Sequence, residues 1–189
     1  MKKGLVITIV IVAIIAIIIG SFVGTYNGLI SWQGELEEAQ SNIQVQLQRR
    51  ADLIPNFVAT VKGYSDYEQS TYTAVTEART KVAGANTPGE LANAEQQLNG
   101  AIDVWVNAVT EAYPDLKANQ SYIALQDELA GTENRIAKAR SDYNEKATEY
   151  NVSIRKFPKS IIASMFGFEK VELFKADESA NKVPQVSFE

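Results

Sequence analysis

The sequence predicts an all-α fold: an N-terminal transmembrane helix, then an antiparallel bundle of long helices, four in number and coiled-coil-like, with an extended C-terminal tail. Two observations predict it. Apolar residues are concentrated in one N-terminal run, and the rest of the chain repeats its apolar residues at helical spacing almost everywhere. At 189 residues, 46% hydrophobic and 22% charged, the chain has the make-up of a folded protein, and its length fits one domain beyond that run. The expected divisions are an anchor over 1–25, a helical bundle over 26–168 and an extended or flexible tail over 169–189.

The anchor follows from bilayer dimensions. No charged residue lies between Lys3 and Glu35, and Gly4 to Gly24 is almost wholly Ile, Val, Ala and Leu. As a helix that stretch covers about 30 Å, the thickness of a hydrocarbon core. Its β-branched richness does not argue for a strand, because in lipid a helix satisfies every backbone group within its own segment. A cleaved signal peptide shares the basic start and apolar stretch. Here the stretch is too long for one, no clean small-x-small site follows, and without cysteine no lipid can be attached to a new N-terminus.

Orientation follows from the distribution of basic residues. Lys2 and Lys3 precede the run, whereas the first basic residues after it are Arg49 and Arg50. The positive-inside bias therefore predicts a single-pass protein of the cell (inner) membrane, N-terminus cytoplasmic and soluble domain outside; a cytoplasmic soluble domain is the alternative. Setting Lys2 and Lys3 aside leaves 16 of the 18 basic residues against 23 acidic ones, a net charge of −7. Such a domain has no electrostatic footprint for nucleic acid.

Beyond the anchor the elements follow in order. Leu29, Leu36, Ile43 and Arg50 are spaced by seven, with Trp32, Ala39 and Leu47 at adjoining positions, so the anchor helix is expected to continue out of the membrane on a heptad-like stripe. Pro55 predicts a kink or break near Leu53 and Ile54. A second helix is expected from about Asn56 to Ala83, with Phe57, Val61, Tyr64, Tyr72, Val75 and Val82 on or near its inner face. Gly84, Thr87, Pro88 and Gly89 form the clearest turn. Thr87 and Pro88 suit the N-cap and first position of a third helix, whose stripe is Leu91, Ala94, Leu98, Ile102, Trp105, Val109 and Ala112. A fourth helix is expected from Asp115 to Arg155 on Leu116, Ile123, Leu129, Ile136, Tyr143 and Tyr150. Phe157 and Pro158 end it, Ile161 to Phe168 is apolar, and the tail from Val171 onward alternates weakly.

Charged residues fall on the expected inner faces. Arg50 takes a hydrophobe's place in the first stripe, Glu133 and Arg140 lie in register on the fourth helix, and Glu68 and Arg79 are the counterparts on the second. The favoured reading is a structural ion-pair set that fixes helix register, because an unpaired buried charge would cost several kcal/mol. A functional polar site inside the bundle is the alternative.

The chemistry on offer is narrow. The chain has neither cysteine nor histidine, hence no thiol nucleophile, thiolate metal site or imidazole base, and no Glu-x-x-His pair for a di-iron bundle. Ser153-Ile-Arg-Lys156 matches S-x-x-K without its partner motifs, no phosphate-cradling glycine loop occurs, and the consecutive acids Glu37-Glu38 and Asp127-Glu128 point about 100° apart on a helix. No catalytic, metal or cofactor residue is assigned. Asp52-Leu53-x-x-Asn56 echoes Asp115-Leu116-x-x-Asn119, and chance with the usual preference for Asp and Asn at helix ends is favoured over an internal two-fold repeat.

Several pieces fall in a distinctive order. After the anchor come Tyr26-Asn27, Val45-Gln-Leu-Gln-Arg-Arg-Ala-Asp-Leu-Ile-Pro-Asn56, Glu77-Ala-Arg79 and Tyr113-Pro-Asp-Leu-Lys-Ala-Asn119. Thr132-Glu-Asn-Arg-Ile-Ala137, Ala139-Arg140, Tyr143-Asn144 and Phe157-Pro158 follow. Over nearly its whole length the chain resembles the LemA family. The resemblance implies a bacterial or archaeal membrane protein with an antiparallel helical-bundle domain and no established enzymatic activity.

Two function classes follow. One is a membrane-anchored, non-enzymatic scaffold that self-assembles through its helical domain, with Leu29, Leu36 and Ile43 as the interface in a homo-oligomer. The other is a membrane-tethered binding or sensor module for a peptide, lipid or small ligand. The expected partners are the lipid bilayer, further copies of the chain and an unidentified protein.

Overall fold

The computed structural model describes residues 2–60 and 68–175. All regular structure among them is helical: α1 (Lys2–Thr60), α2 (Glu68–Gly84), α3 (Pro88–Ala112), a 3-10 turn (Pro114–Ala118), α4 (Gln120–Ser153) and α5 (Lys159–Phe166). These form two compact units, Met1–Ile43 with Ser141–Val171 and Gln44–Arg140 with Glu172–Glu189. Neither unit is a linear segment, since α1 and α4 each contribute to both.

The unit containing Gln44–Arg140 is an antiparallel four-helix arrangement. Gln44 Nε2 donates to the Ala85 carbonyl while Asp52 pairs with Arg79, so α1 and α2 run in opposite directions. Glu95 pairs with Arg140 and Thr110 bonds the Tyr122 hydroxyl, which sets α3 against α4 in the same way. Ala51, Ile54, Val75, Ala78, Leu98, Ile102, Trp105, Tyr122, Leu125 and Leu129 form its core. Burying each large aliphatic side chain is worth about 1.5–3 kcal/mol, so this shared core, more than helix propensity, holds the four helices together.

The ends of α3 and α4 are set by local chemistry. Thr87 Oγ1 accepts from the Glu90 N–H, and the Glu90 carboxylate accepts from the N–H groups of Asn86 and Thr87, a reciprocal capping box that starts α3. Asn119 Oδ1 accepts from the Ser121 N–H and caps α4. The fourth helix therefore begins at Gln120 rather than Asp115, and Asp115 lies in the 3-10 turn.

Pro55 does not break the first helix, as its sequence position predicted; α1 runs through it to Thr60. An interior proline costs about 3 kcal/mol, since it offers no N–H to the carbonyl four residues back and crowds it. That earlier residue is the small Ala51, and Ala51 and Ile54 are both buried in the core at this turn, which offsets the cost. The second helix is described from Glu68 onward; its predicted stretch at 61–67, with Val61 and Tyr64, lies outside the described residues.

The other unit holds the apolar run. Every Leu, Ile and Val from Leu5 to Ile19 is at least 50% exposed, so the chain itself does not cover this stretch, and by length and composition α1 can cross a membrane. Further along α1, Leu29, Leu36 and Ile43 are buried, as are Tyr143, Ala147, Tyr150 and Ile154 of the same unit. Glu35 pairs with Lys146 at 3.4 Å, which brings α4 against α1 in this unit.

α5 ends on Gly167, whose φ of 73° lies in the left-handed region that glycine adopts without strain. The Phe168 N–H then reaches back to the Ala163 carbonyl at 2.9 Å. The Asn151 side-chain amide donates to the Val171 carbonyl and accepts from its N–H, both at 2.9 Å, which ties the chain after α5 to α4.

Candidate functional site

The most unusual chemistry lies inside the four-helix unit. α1 supplies Arg50, α3 supplies Glu95, and α4 supplies Glu133 and Arg140, two helical turns apart and so on one face. Arg50 pairs with Glu133, and Arg140 pairs with Glu95. Side-chain exposure grades across the four, 4% for Glu95, 9% for Arg50, 26% for Arg140 and 49% for Glu133. Water can thus compensate Glu133 but not Glu95 or Arg50. The Nε atoms of both arginines are buried without a hydrogen-bond partner, so neither guanidinium is fully satisfied.

Glu95 responds to this environment. Burial pushes its carboxyl up from the ordinary 4.5 to about 7; Arg140 opposes the rise, Glu133 adds to it and Arg50 opposes it. Near neutral pH the array therefore holds a proton that it can gain or lose. The ring of Phe174 sits 5.2 Å from the Arg140 guanidinium carbon, within cation–π range. Beside it opens a groove of about 600 Å³, lined by Asn93, Gln96, Arg140, Glu172, Phe174 and Lys175 among others. Among the described residues no three acidic side chains converge to hold a metal ion.

Not every charged residue singled out in the sequence joins this array. Arg79 pairs with Asp52 at 3.1 Å, both about half exposed, so it belongs to the surface and not to an inner face. The side chain of Glu68 lies outside the described residues. Two members escaped the sequence reading. Glu95 falls four residues after Leu91 and three before Leu98, within the third helix's apolar stripe, and that position was the available signal. Phe174 is a buried aromatic in a segment that alternates only weakly, and nothing in that pattern marks it.

Leu29, Leu36 and Ile43 require a correction as the interface between copies. At 1%, 5% and 0% exposure they are covered by their own chain and leave nothing for a neighbour to bury.

Comparison with known proteins bears on the whole arrangement. The model of the LemA family matches residues 39–188, well over half of the chain. The chain belongs to the LemA family. The matched segment contains all four members of the charged array and the whole of α5. Among LemA relatives, Protein LemA of Metamycoplasma hominis is 30% identical over 161 residues, spanning 83% of this chain and 72% of the relative. Magnetosome protein MamQ 2 of Paramagnetospirillum magneticum is 27% identical over 187 residues, spanning 86% of this chain and 68% of its own. Magnetosome protein MamQ of Magnetospirillum gryphiswaldense is 26% identical over 174 residues, spanning 79% and 64%.

Proposed function

We propose that this LemA-family chain is a membrane-anchored, non-enzymatic scaffold that associates with copies of itself in the plane of the membrane. One observation carries the reading: α1 is a single helix of 59 residues that leaves the apolar run and enters the four-helix unit with no loop interposed. An anchor continuous with the bundle confines copies to one plane, which raises their effective concentration and lowers the entropic cost of association. The relatives' names support the reading, since they refer to a cellular structure and not to a reaction. The positive-inside bias of Lys2 and Lys3 supports a cytoplasmic N-terminus with the helical domain outside.

With Leu29, Leu36 and Ile43 buried, contact between copies falls to the anchor. Gly20, Gly24 and Gly28 recur every four residues along α1 with open space over each, the spacing at which two helices in lipid approach closely. Crosslinking in native membranes tests the proposal. A ladder of multiples is expected for the parent and a weaker one for Gly24→Ile; monomer alone in the parent would end it. The groove beside Arg140 favours a second reading, a tethered module that binds an acidic peptide or small ligand.

A further inference from the structure

We infer that α5 is an interfacial helix, lying in the headgroup layer of the same bilayer that α1 enters. The inference rests on α1 being a membrane span.

Three observations carry it. The first is an exposed apolar face. Ile162 and Ala163 are buried, but Ile161 is 53%, Met165 64% and Phe166 49% exposed, and Phe157, just before the helix, is 81% exposed. Ile161 and Met165 are one turn apart, so an eight-residue helix presents apolar side chains on the side turned away from the protein. Exposed apolar surface of this kind marks an interaction site.

The second is position. The Phe166 ring packs 5.8 Å from Phe22 and 4.7 Å from Tyr26, and the Phe168 ring packs 5.9 Å from Tyr26. Phe22 and Tyr26 bracket Gly24, the end of the apolar run, where α1 must pass from hydrocarbon to water. Aromatic rings collect at that depth because they are apolar in body and tolerate a wet edge. α5 is therefore held at the level of the bilayer surface by the anchor itself.

The third is charge. From Arg155 to Lys170 the segment carries Arg155, Lys156, Lys159 and Lys170 against the single acid Glu169, in a chain whose net charge is −5. All four basic side chains are exposed. Long basic side chains flanking an apolar face can lie along it and reach phosphate headgroups.

The absence of native cysteine makes the test direct. Single cysteines at Ile161, Met165, Ile14 and Glu37 carry a nitroxide label in the full chain, reconstituted in vesicles of phosphatidylcholine and phosphatidylglycerol. Collision with oxygen, which partitions into lipid, is compared with collision with a water-soluble nickel complex. The labels at Ile161 and Met165 should show an oxygen-to-nickel ratio several-fold above that at Glu37 and below that at Ile14. A ratio at Ile161 and Met165 equal to that at Glu37, with Ile14 in lipid, would overturn the inference alone. Low collision with both reagents would mean that protein covers the face and would overturn it equally. A label at Ile14 exposed to nickel would overturn the membrane span and the inference together.

Discussion

Glu95 should make the stability of this protein depend on pH near neutrality. Burial raises its carboxyl from 4.5 to about 7, so the folded protein binds this proton more tightly than the unfolded chain does. The resulting stabilisation is fully present below the unfolded value of 4.5 and is lost as pH rises through about 7. Each tenfold in proton affinity is worth about 1.4 kcal/mol, so the whole effect is about 3 kcal/mol. About 2 kcal/mol of it disappears between about pH 5.5 and about pH 8. The chain has no histidine, the side chain that ordinarily titrates in that window. Denaturant unfolding of the full chain in a neutral detergent, at both pH values, reads the difference. The parent should be less stable at the higher pH by that amount, and Glu95→Gln should be nearly flat. A flat parent, or a slope that survives in Glu95→Gln, would refute the assignment of a buried, proton-binding carboxyl to this position.

Two further substitutions probe the same unit. Glu133→Ala removes the partner of the buried Arg50 and should cost about 1–3 kcal/mol, the lower half being more in keeping with a half-exposed carboxylate, whereas Ser153→Ala should change stability little; thermal unfolding of both variants checks the contrast. Thr87→Ala removes the side-chain half of the capping box and should cost about 1 kcal/mol. Glu90, held below the usual carboxylate range by the Asn86 and Thr87 N–H groups, supplies the other half of the box, and that half should fade as the solution is acidified, which melts of the parent at lower pH would detect.

What the sequence made legible, and what it hid, divides along physical lines. The apolar run, the helical stripes and the Thr87-Pro88 start of α3 were readable because periodicity and capping are local properties. Pro55 misled because its cost is local whereas the burial of Ala51 and Ile54 that offsets it is tertiary. Leu29, Leu36 and Ile43 show a related ambiguity. A heptad stripe demands a partner helix but does not say whether that helix belongs to another copy, and here the same chain covers it. Within the charged array, Arg50, Glu133 and Arg140 stood out in the stripes, but their pairing depends on how α1, α3 and α4 are brought together. Phe174 joined it from a segment whose weak alternation gave no sign of an inner face.

The central claim is that copies of this anchored chain associate within the membrane. Counting subunits tests it most directly: the full chain carries one fluorophore at an engineered cysteine at Glu37, a position exposed and outside the apolar run. It is captured in nanodiscs formed straight from native membranes and bleached one disc at a time. The account predicts that most labelled discs lose their signal in more than one step, and that Gly24→Ile shifts the distribution towards single steps. Single-step bleaching throughout the parent sample, at labelling high enough to reveal pairs, would contradict it.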